Sequence, residues 1–227
     1  MNICVIPARG GSKRLPRKNI LEFCGKPMIA YAIEVAKKSN IFNRIIVSTD
    51  DKEISQIAQN YSYVTVLPRP LQLADDHSTT VEVIQHAIGE VETLGISFQH
   101  VCCIYPTVPL LEPLAITQGL RLLEVHRERY AFPIIQFPSA VQRGLTVSVN
   151  GTLAPMYPGY ELSRSQDLEP VYYDAGQFYW ADKNTWKTCS FIHSNGVGFI
   201  MPRDSAVDID VRDDWEFTEL LYKMRKR

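Results

Sequence analysis

The feature that most constrains this chain is an alternation between two hydrophobic periods. Short apolar runs of strand type occur at Ile3–Ile6, Arg44–Ser48, Val64–Leu67 and Val101–Tyr105. Between and after them lie stretches with apolar residues at helical spacing: Pro27–Lys38, Lys52–Asn60, Thr80–Leu94 and Leu114–His126. In Thr80–Leu94, for instance, Val81, Ile84, Ala87, Ile88 and Val91 share one side. When each strand is followed by a helix, the helix carries the chain back and the next strand runs parallel to the last. Ile45-Ile46-Val47 is apolar at every position, as a strand covered on both faces requires. The expected architecture is therefore α/β: a Rossmann-like, doubly wound, mainly parallel sheet. At 227 residues the chain suits one large domain spanning 1–227.

The pattern changes after Ala131. Up to Tyr179 the runs are shorter and are broken by Pro, Gly and Asn. Leu145–Val149 and Thr152–Met156 flank Asn150-Gly151, which predicts a β-hairpin with an Asn-Gly turn. An inserted antiparallel subregion at about 137–177 is expected to cover a substrate or to pair two subunits. Gly196–Met201 then reads as strand and Asp213–Lys226 as a terminal helix, acidic at its start and basic at its end.

Composition narrows the partners. The net charge is −1, which offers no electrostatic case for nucleic acid or an anionic membrane. No apolar run approaches the roughly 18 residues of a membrane helix. The start, Met1 to Pro7, lacks the basic segment of a secretory signal. There are five cysteines, Cys4, Cys24, Cys102, Cys103 and Cys189, with no Cys-x-x-Cys. An odd count beside apolar runs predicts free buried thiols and a reducing, cytoplasmic setting for a soluble protein.

The strongest local signal is Pro7-Ala8-Arg9-Gly10-Gly11-Ser12-Lys13-Arg14-Leu15-Pro16-Arg17-Lys18-Asn19, which directly follows the first strand. Ligands of open α/β sheets bind at the carboxyl ends of strands, so its position is that of a binding loop. Gly10 and Gly11 let backbone amides approach an anion. Arg9, Lys13, Arg14, Arg17 and Lys18 repel one another unless anions separate them, and a triphosphate would do so. The loop is neither G-x-x-x-x-G-K-[ST] nor G-x-G-x-x-G.

Six further motifs follow in order. They are Gly25-Lys26-Pro27, Ser48-Thr49-Asp50-Asp51, Arg69 through Asp76 (RPLQLADD), Pro106-Thr107-Val108-Pro109, Arg164-Ser165-Gln166-Asp167-Leu168, and Asp208-Ile209-Asp210. Together with the loop they resemble the CMP-sugar synthetases, the acylneuraminate cytidylyltransferase family, along nearly the whole chain. Cys102 to Tyr105, Ser163 to Pro170 and Asp174 to Trp180 are most similar to the branch acting on pseudaminic acid. The resemblance implies transfer of CMP from CTP to the anomeric C2 hydroxyl of a nonulosonic acid, with pyrophosphate leaving, in a homodimer. Legionaminate and N-acetylneuraminate are the alternative acceptors.

It also implies site residues. Arg9, Lys18 and Asn19 would hold the nucleotide phosphates, with Ala8, Gly10, Gly11, Ser12 and Lys13 forming the cradle. Arg69 would contact nucleotide, and Thr80 falls near a hydroxyl that reads cytosine; a surface loop and a helix-start hydroxyl are their plain alternatives. Tyr105 stands where N-acetylneuraminate synthetases carry a sugar-contacting Gln, which argues against that sugar.

Asp208 and Asp210 flank Ile209, and in an extended segment residues two apart share a face. Two such carboxylates suit Mg2+, the metal the family holds there; helix capping is the alternative. Arg164 is the candidate partner for the sugar carboxylate, and Gln166, Asp167, Tyr173 and Gln177 for its other polar groups. No covalent nucleophile stands out. Catalysis is expected to rest on positioning and charge, with Arg9, Lys18, Asp208 and Asp210 central. A nucleotidyltransferase using another triphosphate and a non-catalytic nucleotide-sugar regulator are the rival functions.

Overall fold

The computed structural model describes residues 1–226. In chain order the elements are β1 (Asn2–Pro7), the pair β2 (Glu22–Phe23) and β3 (Lys26–Pro27), α1 (Met28–Ser39), β4 (Arg44–Thr49), α2 (Lys52–Gln59) and β5 (Val64–Pro68). Next come α3 (Thr80–Thr93), β6 (His100–Ile104), α4 (Pro113–Val125), β7 (Tyr130–Gln136), β8 (Leu145–Val147) and β9 (Leu153–Pro155). The last are β10 (Tyr172–Asp174), β11 (Phe178–Asp182), α5 (Lys183–Thr188), β12 (Gly196–Ile200) and α6 (Arg212–Arg225).

The central sheet runs β10-β7-β11-β6-β1-β4-β5, and β12 also pairs with β7. From β5 to β6 every pairing is parallel, as the β-α alternation requires. Beyond β6 the sheet is mixed: β11 is antiparallel to β6 and β7, while β12 is parallel to β7. The strand order reverses at β1. The chain goes outward from β1 to β4 and β5, then returns to place β6 on the other side. That is the topological switch point at which open α/β sheets bind ligands.

Strand alternation distributes the core over both faces. Cys4 and Ile6 of β1 face α1, α2 and α4, packing with Ile29, Ile33, Ile54 and Ile116. Ile3 and Val5 face α3 and α5, packing with Ile84, Ile88 and Trp186. Cys102 and Cys103 split between the two faces in the same way. All five cysteines are free, and Cys4, Cys102 and Cys103 are buried. Among the described residues no helix is long and apolar enough to cross a membrane. A third cluster joins Leu15 of the basic loop, Phe23, Met28, Tyr31, Ile209 and Trp215.

The hairpin is present with a shifted turn. Leu145 pairs with Pro155 and Val147 with Leu153. Ser148 N donates to Thr152 O at 3.0 Å, which leaves Val149-Asn150-Gly151 as a three-residue loop. A two-residue Asn-Gly turn would pair Val149 with Thr152. Instead Gly151 alone takes a positive φ, +84°, as the left-handed residue that closes a three-residue turn. β8 and β9 form their own small sheet, whereas β10 is already the edge strand of the main sheet.

One glycine reports how closely α4 lies on β11. A Cβ at Gly119 would stand 2.6 Å from Phe178 Cε2 and 2.9 Å from Trp180 Cδ1. Trp180 is held, since its Nε1 donates to Ile116 O at 3.0 Å and its ring stacks on Phe42 at 5.2 Å. Gly119→Ala is expected to destabilise the protein by about 1–3 kcal/mol, despite alanine's better helix propensity, as overpacking does. A lowered urea midpoint measures it, and an unchanged midpoint would show that the aromatic pair yields.

Candidate active site

The loop after β1 is shaped by acids that follow β4. Gly10 N donates to Asp50 Oδ1 at 3.2 Å. Arg17, at φ +58°, donates from Nη1 to Asp51 Oδ2 at 2.5 Å and also pairs with Glu53. Asp51 has a second duty: its Oδ1 accepts from Glu53 N and Ile54 N and caps α2. The Arg17 guanidinium holds the Asp51 carboxyl below the usual carboxylate range. The interior end of the loop is pinned by Asn19, which is buried and donates from Nδ2 to Arg9 O at 2.9 Å.

A cleft of about 380 Å3 opens at the carboxyl ends of β1 and β6. It brings together Arg9, Ser12, Lys18 and Asn19 from the loop, Arg69 after β5, Thr80 at the start of α3, and Tyr105 after β6. Asp208 and Asp210 close its far side. Ala8 is fully buried beneath it, Gly10 and Gly11 supply loop backbone, and the largely exposed Lys13 pairs with Asp76 at the rim.

Arg69 is the buried cation of the site, only 7% exposed. Its Nε donates to Ser48 Oγ at 3.2 Å and its Nη2 to Ser48 O at 2.6 Å. Among the described residues no acid lies within salt-bridge range of it. Burial pulls its pKa down to about 10, with Asp50 opposing, so it remains a cation at neutral pH. A buried charge with only neutral partners is a strong draw for an anion.

The acid pair adopts the expected alternation. Ile209 is fully buried in the third cluster, while Asp208 and Asp210 line the cleft. Asp208 is open on its cleft side and crowded by protein on the other, and that crowding, aided by Asp210, pushes its carboxyl up. Asp210 accepts from Arg14 at 2.7 Å and from Lys18 at 3.3 Å. Among the described residues no third His, Cys, Asp or Glu completes a metal cluster. The donor set is a pair of hard oxygens, with room for water and phosphate, which is the kind of site Mg2+ takes. Capping of α6 falls to another residue, Asp214, which accepts from Asp210 N and Val211 N at 2.9 Å.

A second cavity of about 400 Å3 adjoins the cleft across Thr79, Thr80 and Tyr105. Its other walls are Val81, Tyr179 and Ser190 to Ser194. A polar chain runs along it. Thr80 Oγ1 and the Tyr105 hydroxyl are 2.7 Å apart, the Tyr179 hydroxyl donates to Asp174 Oδ2 at 2.6 Å, and His193 Nε2 lies 2.7 Å from the same oxygen. Burial raises the pKa of Tyr105 to about 12 and raises that of Tyr179 as well, so both stay protonated donors. Sequence reasoning missed this chamber because its residues come from four separated segments.

The middle-segment residues lie elsewhere. Arg164 is largely exposed and pairs with Asp167 at 2.8 Å. Gln166 lines a separate cavity of about 500 Å3 beside Phe137 and Arg203. Tyr173 packs on Phe137 at 4.9 Å. Gln177 is 1% exposed behind the cleft floor, where its backbone O accepts from Tyr105 N at 2.9 Å. Within one chain Arg164, Gln166, Asp167, Tyr173 and Gln177 are not brought to the cleft. Asp75 and Asp76 also line it, and the sequence marks them only as part of the run Arg69 to Asp76.

A mixed α/β sheet with a cleft lined by cations and acids at its switch point is an architecture that nucleotidyltransferases share. A solved structure of CMP:2-keto-3-deoxy-manno-octonic acid synthetase complexed with CTP shares it, with a TM-score of 0.72 over 99% of both chains at 16% identity. The chain belongs to the cytidylyltransferase family, whose model matches residues 3–146. It is 39% identical to the pseudaminic acid cytidylyltransferase of Campylobacter jejuni, over 98% of this chain and 97% of that one. It is 30% identical to the N-acylneuraminate cytidylyltransferase of Streptococcus agalactiae, over 94% of this chain and 51% of that one.

The two loop glycines are not equivalent. A Cβ at Gly10 would stand 2.5 Å from Asp51 Oδ2, an atom pinned by Arg17, whereas a Cβ at Gly11 meets nothing within 4 Å. Gly10→Ala is expected to weaken CTP binding by about tenfold or more through displacement of the loop, a loss of overpacking size. Gly11→Ala should stay within about 0.5 kcal/mol of wild type in stability. Calorimetric titration of CTP into both variants checks the contrast.

Proposed function

We propose that this protein transfers CMP from CTP to the C2 hydroxyl of a nonulosonic acid, releasing pyrophosphate, and that the acceptor is pseudaminic acid. The observation that carries the reading is the meeting, in one cleft, of Arg9, Lys18 and buried Arg69 with the paired Asp208 and Asp210. Phosphoryl-type transfer needs cations around the phosphates and little covalent chemistry from the protein. The relatives named above act on sugars of this acidic class, which supports the acceptor. The absence of the Gln expected for N-acetylneuraminate, with Tyr105 in its place, favours pseudaminic acid within the class.

In this mechanism Arg9, Lys13 and Lys18 bind the leaving phosphates and stabilise the charge that grows on pyrophosphate. Ser12, Asn19 and the Gly10-Gly11 backbone complete the cradle. Arg69 faces the nucleotide from below, and Thr80 offers its hydroxyl to the cytosine. Asp208 and Asp210 would hold Mg2+, which when bound supplies charge neutralisation at the phosphates. Tyr105 separates the nucleotide cleft from the adjoining chamber, whose aromatic and hydroxyl walls suit a substituted sugar.

Arg164, Gln166, Asp167, Tyr173 and Gln177 keep their proposed part in sugar binding through a homodimer, in which the excursion at about 137–177 of one copy meets the other. The exposed side chains of Leu145, Val147, Leu153 and Met156 give that excursion an apolar surface to bury. The setting proposed is the cytoplasm.

The test is pyrophosphate release from CTP and Mg2+ with pseudaminate, legionaminate or N-acetylneuraminate supplied separately. Release with pseudaminate alone is expected. Arg9→Ala, Lys18→Ala and Asp210→Asn should each lower kcat by about a hundredfold or more, the scale of losing a transition-state charge partner. Retained turnover in any of them removes that residue from the site, and release only with another sugar reassigns the acceptor.

A further inference from the structure

We infer that Asp76 is an internal competitor for the cations that bind polyphosphate. Its carboxylate pairs with Arg9 and Lys13, the donors a polyphosphate would use, and its return to them favours departure of pyrophosphate. The inference rests on the phosphate role proposed for those two residues.

Each of the five loop cations already has an acidic partner. Arg17 is held by Asp51 and Glu53, and Arg14 and Lys18 by Asp210. Arg9 Nη1 lies 2.8 Å from Asp76 Oδ1, and Lys13 pairs with the other oxygen of the same carboxylate. Lys13, then Arg9, hold the Asp76 carboxyl below the usual carboxylate range, so it is ionised at neutral pH. Asp51 is needed to cap α2, and Asp210 belongs to the proposed metal pair. Asp76 has no comparable duty and makes no backbone cap, yet its side chain sits in the cleft on the donors a phosphate would use.

The geometry favours a competitor over an organiser. Arg9 is positioned without Asp76: its Nη1 also donates to Asp75 O at 2.5 Å, and its own carbonyl is fixed by Asn19. Lys13 is 80% exposed, and the pairing neutralises it without burying it. The segment carrying Asp76 can yield. It lies between a short 3-10 turn at Leu71–Leu73 and the first turn of α3, and pairs with no strand. Asp75 shapes it locally by accepting from His77 N and Ser78 N. A phosphate and a carboxylate repel on a shared donor, so an entering triphosphate must displace Asp76. Pyrophosphate left after CMP transfer meets the same carboxylate again. Weaker product binding in this sense is gained chiefly in the dissociation rate.

The test titrates inorganic tripolyphosphate and pyrophosphate, without metal, into wild type, Asp76→Asn, Asp76→Ser, Asp76→Glu and Lys13→Met, and into the Asp76→Asn/Lys13→Met double variant. Asp76→Asn and Asp76→Ser are expected to bind both anions about fivefold tighter, the upper scale of a partly exposed ion pair. Asp76→Glu should match wild type, and the gain should shrink when Lys13 is already absent. With formation of the CMP-sugar as the readout, inhibition by added pyrophosphate should strengthen by the same factor in Asp76→Asn. Unchanged or weaker anion binding in both uncharged variants, or tight binding in Asp76→Glu, overturns the inference. Tighter binding in Asp76→Asn with no pyrophosphate release by wild type on any sugar would keep the competitor and remove the proposed reaction.

Discussion

Five positive charges between Arg9 and Lys18 cannot be held in one loop by their own geometry; the anions around them decide where they go. Asp50 and Asp51 after β4 tie down Gly10 and Arg17, Asp76 before α3 takes Arg9 and Lys13, and Asp210 after β12 takes Arg14 and Lys18. The acids come from three distant parts of the chain, and the sheet is what assembles them. β1 and β4 pair in register from Ile3–Arg44 to Pro7–Ser48, so the start of the loop and the Asp50-Asp51 pair emerge side by side from the same edge.

Apolar packing supplies the second half of this coupling. Leu15 interrupts the basic loop and Ile209 interrupts the acid pair, and both enter one cluster with Phe23, Met28 and Trp215. Burying two such side chains is worth on the order of 3–6 kcal/mol in total. The backbone beside them is thereby fixed by the core, while the more exposed ion pairs set only where the charged side-chain tips lie. Arg69 completes the arrangement from below, a charge fixed by Ser48 with no acid in salt-bridge range among the described residues.

The parallel half of the sheet was legible in the sequence because its evidence is local. Hydrophobic period and length suffice for Ile45-Ile46-Val47 or for the helix Thr80–Thr93. That the loop, Arg69, Tyr105 and the aspartate pair belong together could be read from contiguous motifs, and the structure lines one cleft with them and with Thr80 at the start of α3. Register in the hairpin was not legible: Asn-Gly allows both two- and three-residue turns, and the choice belongs to the flanking strands. The adjoining chamber was equally hidden. Asp174, Tyr179 and His193 bear no shared spacing, and only the antiparallel return of β11 against β6 and β7 brings them near Tyr105. The location of Arg164 and Gln166 outside the cleft had no signal in the sequence, because a motif states residue types and leaves their spatial neighbours open.

The hairpin β8–β9 shares no hydrogen-bonded ladder with the main sheet. No strand register links a substitution or insertion there to the β1 loop, Arg69 or the acid pair. Descendants of such a chain are therefore free to diversify at that end while inheriting an unaltered phosphate centre. The apolar face of the hairpin stays bound to the proposed subunit contact, and within that limit this modularity gives the scaffold room to take new acceptors without rebuilding its chemistry.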